Sequence, residues 1–435
     1  MRSGPVACKR TSKIMAAAKP TFAMRAWIAL TWAAHPLLKK HLQSRVKNGK
    51  EDPNRWREKL GETQSVRPSG RLIWLHAVGL GEVLALRGLV HKLSDKRPDW
   101  HFLITSGTRT SAQVLADNMP PRCIHQFLPI DTPQAGKRFL KNWRPDIAIW
   151  AEQELWPGLT YQADARAIPM AMVNARMNAV SFAKRRRVSA LYADALARVS
   201  LISAQDEDTA EHLRSLGAKA VRIEGSLKPI APPLDGAGLS AVTVQIGERF
   251  VWVVGSSHPA DEVEALSAHR ALLKKRPDAL LIIAPRDVSR GTQIGQAAQS
   301  VGLKANLRSE TADMTAPVYV ADTFGELGLW YRAAKVALIG GTFDETQGHN
   351  PWEAVQLSTQ ILHGPNTANF SADFADLKAA GGAHEVANGD DIAQALQVNE
   401  HARSIEAAHD VLAQKNSSFD DYGDQIVKLV EERHV

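Results

Sequence analysis

The stretch KVALIGGTFDETQGHNPWEA, residues 335–354, starts as an apolar run, turns at two adjacent glycines and resumes as a helix start. VALI reads as a strand buried on both faces. Gly340 and Gly341 let a ligand approach the backbone. Asn350 can cap the following helix, Pro351 fits its first position, and exposed amide groups at such a start attract anions. Glu353, three residues after Asn350, fits either a capping-box-like start or a carboxylate aimed at the vicinal hydroxyls of a ribose. Strand, glycine turn and helix in that order form one unit of a parallel α/β sheet.

The same unit repeats along the chain. RLIWLHAV, HFLITS, DIAIWAE, IPMAMVNA and SLISAQ are apolar runs each followed by a helical pattern, and FVWVVGSS, ALLIIAPR, VYVAD, KVALIGG and TQILHG form a second series. Between the series lies KPIAPPLDGAGLS, residues 228–240, rich in Pro and Gly and without periodicity, which reads as a linker. The expected architecture is α/β, with two doubly wound Rossmann-like domains facing one another across a cleft, residues 61–227 and 241–435. Ligands of such sheets bind beyond the carboxyl ends of the strands.

Residues 1–60 form a separate segment. They hold 14 Lys and Arg against 3 acids, whereas the remaining residues carry 39 bases against 43 acids, so the net charge of +7 belongs to the N-terminal stretch. Within it AWIALTWAAHPLL, residues 26–38, is free of charged residues but shorter than the roughly 20 residues that cross a bilayer. Trp27 and Trp32 favour a membrane interface, and Arg25, Lys39 and Lys40 favour anionic lipid, so contact with an anionic membrane surface is expected. The competing reading is an amphipathic helix packed on the first domain. No small-residue cleavage site follows the apolar run. Cys8 and Cys123 are the only cysteines, which excludes a disulfide framework and a cysteine-rich metal site.

Unusual residues gather at the strand ends. GSSHPADE brings Ser257 and His258, APRDVSR brings Pro285 and Arg286, ADTFGELGLWY brings Phe324, Gly325 and Glu326, and Gly341 and Thr342 follow their strand. Together these suit an anion-and-hydroxyl pocket, with Arg286 able to fork onto a phosphate. His258 and Glu326 taken singly also fit a cap and a solvated helix residue. In the first half WLHAVGLGEVLALRG sets Glu82 just beyond Gly79 and Gly81, but no third glycine completes a dinucleotide fingerprint. Glu82 fits either a helix-dipole partner or a general base for a hydroxyl. WAEQELWPG adds Glu152 and Glu154 after another strand. The run AKRRR, with Arg185, Arg186 and Arg187, reads as a solvated helix face or as a site for acceptor phosphates.

In this order the motifs resemble the bacterial 3-deoxy-D-manno-octulosonic acid (Kdo) transferases of lipopolysaccharide assembly, which have the GT-B glycosyltransferase fold. WLHAVGLGEV, AEQELWPG, VNARMNAVS, GSLK, SSHPADE, APR, DTFGELG, GGTFDETQGHNPWEA and HGPNTANF carry the resemblance from about residue 25 to 390, and the segment through REKLG is similar to the family's membrane-associated start. The resemblance implies transfer of Kdo from CMP-Kdo to a lipid A precursor with inversion, at the cytoplasmic face of the inner membrane. It implies Glu82 as general base and Glu152 and Lys228 as groups that stabilise the transition state. It places Ser257, His258, Pro285, Arg286, Phe324 to Glu326, Gly341, Thr342 and Asn350 to Glu353, with Pro351 and Trp352, around CMP. Gly79, Arg176 and Arg185 to Arg187 fall on the acceptor side. No cofactor, metal or nucleic-acid partner is expected.

The chain departs from the family pattern at Gly79, where Ser is usual, at Asp287, where His is usual, at Ala260, where Gly is usual, and after Lys228, which is followed by Pro-Ile. Three alternatives stay open at this level: a divergent paralogue with another acceptor, a nucleotide-sugar epimerase and an inactive membrane-bound sugar-nucleotide binder.

Overall fold

The computed structural model describes residues 19–78, 80–117, 119–152, 155–398 and 400–432. It divides into two compact units, residues 1–231 with 418–435, and residues 232–417. The break falls inside the Pro-rich stretch at 228–240. The last stretch corrects the sequence reading, because residues from Ser418 onward group with the first unit and not the second. Their helix, His401–Glu432, sends Phe419, Tyr422, Ile426 and Val430 into the first unit's core, and Tyr422 donates to the Met172 carbonyl at 3.0 Å.

Seven parallel strands make the first sheet: β1 Leu72–His76, β2 His101–Ser106, β3 Cys123–Phe127, β4 Ile147–Ala151, β5 Met170–Ala175, β6 Leu201–Ala204 and β7 Arg222–Ile223, in the order β3-β2-β1-β4-β5-β6-β7. β1, β4 and β5 are buried along their whole length, as strands covered by helices on both faces must be. The order reverses at β1 and β4, which pair with His76 opposite Trp150, so the crevice between their carboxyl ends is the place where a doubly wound sheet takes its ligand. Trp74 packs edge-on against Trp150 at 5.0 Å between centroids beneath that crevice.

The second sheet repeats the plan with β8 Val251–Ser257, β9 Leu280–Pro285, β10 Ala305–Leu307, β11 Val318–Val320, β12 Val336–Ile339, β13 Gln360–His363 and β14 Ala383–Glu385, ordered β10-β11-β9-β8-β12-β13-β14. Its reversal lies at β8 and β12, where Gly255 stands opposite Ile339. The stretch 335–354 supplies one side of that crevice.

The N-terminal segment forms helix α1, Phe22–Lys47, capped by Thr21, whose hydroxyl accepts from Met24 N at 3.2 Å. Met24, Thr31 and Leu42 are buried against the first unit, while Phe22, Leu30, Trp32 and Leu37 are exposed. Trp27 departs from the expectation of a membrane-facing ring: it is half-buried and its indole donates to Asp131 at 2.9 Å. No described helix is long and apolar enough to cross a membrane.

Candidate functional site

In the first unit, β1 runs into helix α2, Leu80–Lys96, and Glu82 stands half-buried in its first turn. Glu152 follows β4, the strand next to β1, in a left-handed conformation, φ 57°, with its N–H donating to the Val173 carbonyl at 2.8 Å. Asn174, near the end of β5, is also left-handed, φ 56°, and its side-chain oxygen accepts from Leu227 N at 2.9 Å. Lys228 comes next and opens a short 3-10 turn, Lys228–Ile230, its own N–H held by the Ser226 hydroxyl at 3.2 Å. Against that turn lies Gly88 of α2, where a Cβ would meet the Ile230 carbonyl oxygen at 2.1 Å. Glu82 and Lys228 therefore stand on elements that pack on one another, and Glu152 follows β4, which pairs with β1 and β5. Left-handed non-glycine backbone at the ends of two neighbouring strands is strain of the kind that clusters at functional sites. Gly79 and Glu154 lie outside the described residues.

Asp131 supports the segment that follows Glu152. Its buried carboxylate accepts from Gly158 N at 3.0 Å and Leu159 N at 2.7 Å, at the start of the helix Pro157–Asp164, as well as from Trp27. Burial lifts it above the ordinary carboxylate range against the pull of these donors.

Arg176 is exposed just beyond β5, and Asn178 caps the helix Ala179–Arg186 by accepting from Ser181 N at 2.9 Å. The basic run at its end does not fan out uniformly. Arg185 is half-buried with its guanidinium 5.5 Å from the Tyr192 ring, Arg186 lies 5.9 Å from the Phe182 ring and is exposed, and Arg187 is exposed.

In the second unit the strand ends of β8, β9, β11 and β12 meet. A pocket there is lined by Ser256, Pro285, Arg286, Phe324, Gly325 and Trp330, with Arg286 and Phe324 exposed at its mouth. Ser256 is left-handed, φ 56°, at a bulge in β8, and Gly340 lies so close that a Cβ would meet the Ser256 carbonyl oxygen at 2.3 Å. His258 caps the helix Pro259–Leu273. Asp261, three residues on, takes four backbone donors: His258 N at 2.8 Å, Gly341 N at 2.6 Å, Thr342 N at 3.2 Å and Phe343 N at 3.2 Å. One buried carboxylate thus ties the first turn of this helix to the loop after β12. Burial pushes Asp261 up from its ordinary value despite those donors.

His258 and His349 stack with ring centroids 5.1 Å apart and share a hydrogen bond of 2.8 Å between their Nε2 atoms, so one must donate while the other accepts. Burial, then the nearby His258 and Arg286, push His349 down to about 4. Asp287 is exposed, and its carboxylate takes Ser289 N at 3.0 Å and the Ser289 hydroxyl at 2.7 Å, bonds that hold it below the ordinary carboxylate range.

Several expected ligand residues make hydrogen bonds within the protein or are buried. Ser257 is buried and donates to Glu262 at 3.0 Å, which in turn receives Arg290 through two bonds of 2.7 and 2.8 Å. Thr342 is buried, donating to Ile339 O at 2.7 Å and accepting from Gly364 N at 2.8 Å. Trp352 is buried. Glu326 is drawn to Arg308 by bonds of 2.9 and 3.1 Å and to the Thr323 hydroxyl; burial raises its pKa, but these partners outweigh it and hold the carboxyl low. Asn350 accepts from Trp352 N at 3.2 Å and donates to Glu353 at 3.2 Å, a side-chain link in place of a reciprocal capping box, ahead of a single turn, Trp352–Val355, that begins one residue after Pro351. Among the described residues no group of three His, Cys, Asp or Glu side chains is placed to hold a metal ion. Asp261, Asn174 and Gly88 escaped the sequence reading. Only Asp261 had a local signal, its place three residues after a helix cap.

The family described as 3-deoxy-D-manno-octulosonic-acid transferase (kdotransferase) matches residues 54–230. An Arabidopsis thaliana protein named "Probable 3-deoxy-D-manno-octulosonic acid transferase, mitochondrial" is 34% identical over 363 residues, 80% of this chain and 81% of its own length. The chain belongs to the 3-deoxy-D-manno-octulosonic acid transferase family. The family's 3-deoxy-D-manno-octulosonic acid transferase of Rickettsia bellii is 30% identical over 378 residues, 86% of this chain and 90% of that one. Among solved structures, a glycosyltransferase from Rickettsia africae superposes with a TM-score of 0.53 at 12% identity, over 84% of this chain and 99% of that one. A UDP-GlcNAc 2-epimerase from Neisseria meningitidis gives 0.52 at 14% identity, over 83% and 100%. These two share the GT-B plan of paired parallel sheets, and at such identities they establish the fold alone. Membership of the Kdo transferase family makes the protein a glycosyltransferase.

Proposed function

We propose that this protein transfers Kdo from CMP-Kdo to a lipid A precursor, lipid IVA, with inversion at the anomeric carbon, at the cytoplasmic face of the inner membrane. The observation that carries the reading is that Glu82 and Glu152 follow β1 and β4, the two strands at the switch point of the first sheet, while the turn of Lys228 packs on the helix of Glu82. Glu82 takes the proton of the acceptor hydroxyl as its oxygen bonds to the anomeric carbon. The bond from that carbon to the CMP phosphate breaks, and its electron pair leaves with CMP. Glu152 and Lys228 stabilise the transition state, and in the second unit Arg286 suits a nucleotide phosphate. Phe324 and Gly325 border the nucleotide, and Asn350 and Glu353 suit the ribose hydroxyls. This route uses fixed charges and dipoles, with neither metal nor cofactor.

The acceptor is a lipid with anionic phosphates. On α1, Phe22, Ala26, Leu30, Ala33 and Leu37 follow at three- and four-residue intervals and are exposed, flanked by Arg25, Lys39 and Lys40. Such a stripe suits a helix lying in the headgroup region of an anionic membrane. Arg186 and Arg187, both exposed, are then the members of the basic run best placed to meet acceptor phosphates, with Arg176 nearby in sequence.

The test is incubation with CMP-Kdo and a tetraacylated lipid A precursor, followed by mass spectrometry of the lipid. A lipid product heavier by one or more Kdo residues is the expected result. Interconversion of nucleotide sugars without a lipid product would assign an epimerase instead. Glu82→Gln should retain CMP binding and lose turnover by on the order of a hundredfold or more; near-normal turnover removes Glu82 as the base.

A further inference from the structure

Lys228 can stabilise the transition state only if its main chain is held still relative to Glu82, and two residues with no assigned role do this. We propose that Asn174 is a positioning residue that acts through Lys228, and that Gly88 sets the spacing between the Lys228 turn and the helix carrying Glu82. The proposal rests on the transferase reading above. Asn174 is 2% exposed and left-handed, a conformation that glycine and asparagine tolerate and most other residues resist. Its carbonyl accepts from Gln205 Nε2 at 3.1 Å, which fixes its backbone, and its side-chain oxygen reaches Leu227 N at 2.9 Å. The next amide, that of Lys228, is taken by Ser226, and Pro229 stiffens the residue after. Two successive N–H groups, both just N-terminal to the lysine's Cα, are therefore held by side-chain oxygens.

Gly88 supplies the second coordinate. It lies six residues beyond Glu82 on the same helix, where glycine weakens a helix and alanine would be the better residue. Ile230 explains its presence: a Cβ at position 88 would stand 2.1 Å from the Ile230 carbonyl oxygen and 2.6 Å from its carbon. Both neighbours are backbone and cannot swing aside. Backbone meets backbone at this contact, which sets the helix of the base directly against the turn of the lysine.

Asn174→Gly is the informative variant, because glycine keeps the left-handed backbone without strain and removes the side-chain amide whose oxygen accepts from Leu227 N. It should lower kcat by about tenfold to a hundredfold, the range that a displacement near 1 Å produces, with KM for CMP-Kdo little changed, while the melting temperature falls because the buried Leu227 N–H loses its acceptor. In a Lys228→Ala background the same change should cost less than about twofold, since neighbours acting through one group are not additive. Gly88→Ala should reproduce the kcat loss with KM retained. Wild-type kcat in Asn174→Gly, or an equal loss in both backgrounds, overturns the proposal. Full turnover by Lys228→Ala alone would instead overturn the role of the lysine on which it rests.

Discussion

At the scale of single residues, Asp261 shows how much of a binding loop can depend on one side chain. The loop after β12 has Gly341, Thr342 and Phe343 all donating to it, and the chain then folds back so that Gly348 N meets Gly341 O at 2.6 Å and His349 N meets Gly340 O at 3.1 Å. Asn350 and Glu353 are carried on the far side of that fold. Asp261→Asn replaces one acceptor oxygen by an NH2 facing N–H donors, leaving buried groups unpaired, each worth about 1–3 kcal/mol. The variant is expected to melt lower and to bind CMP at least about tenfold more weakly, because the loop loses its geometry. Calorimetric titration with CMP beside a melting curve checks this, and unchanged CMP affinity would release Asp261 from any part in the site. Sequence alone exposed Glu82, Arg286 and Asn350 because each follows an apolar strand. It hid Asn174, Gly88 and Asp261, whose meaning lies in partners far along the chain.

At the scale of elements, the strands that the sequence revealed and those it hid fall into two physical classes. The ten apolar runs are all β-strands. The four strands without a sequence signal, β3, β7, β10 and β14, are the four edges of the two sheets. An edge strand has one neighbour and partial solvent contact, so it admits polar residues, as in CIHQF, RI, ANL and AHE, and the last three are only two or three residues long. Apolar periodicity cannot register there. Helix α1 poses the opposite problem, since its apolar residues serve two surfaces. Trp27 turns to Asp131, His35 reaches the Thr132 hydroxyl at 2.8 Å, and Trp32 faces outward. Changing Leu30, Trp32 and Leu37 together to Ser should leave the melting temperature nearly unchanged, since exposed substitutions lie within about 0.5 kcal/mol each, while sedimentation with anionic liposomes falls. Undiminished liposome binding would remove α1 as the membrane-facing element.

At the scale of the whole molecule, stability should depend on pH through histidines kept neutral by burial. Burial pushes His76 and His269 each down to about 4, in spite of hydrogen bonds to the Thr105 and Pro317 carbonyls that favour the charged form. Between about pH 6.5 and 4 the unfolded chain binds these protons and the folded chain does not. Their contribution is therefore fully present above pH 6.5 and is lost as the pH falls, at about 1.4 kcal/mol per pH unit for each such proton. Glu51 adds to the loss at lower pH: burial alone would raise it, but Lys59 at 2.6 Å and Arg45 at 2.7 Å hold it below its ordinary value, so it must be protonated against them. Melting temperatures measured from pH 7.5 down to 4.5 should hold steady at first and then fall progressively below about 6.5. A flat profile through that range would mean that the buried imidazoles titrate as freely as exposed ones.

The last helix gives the first unit a timing constraint. Phe419, Tyr422, Ile426 and Val430 belong to the same core as β1, β2 and α2. That core cannot be closed when β7 leaves the ribosome, because all of Pro232–Ser417 must be synthesised first. At about 5–20 residues per second the wait is on the order of ten seconds or more. Throughout it, the unit that bears Glu82 and Lys228 has an apolar seam open to chaperones and to neighbouring nascent chains. The second unit has no such debt, so the unit translated later is free to mature earlier.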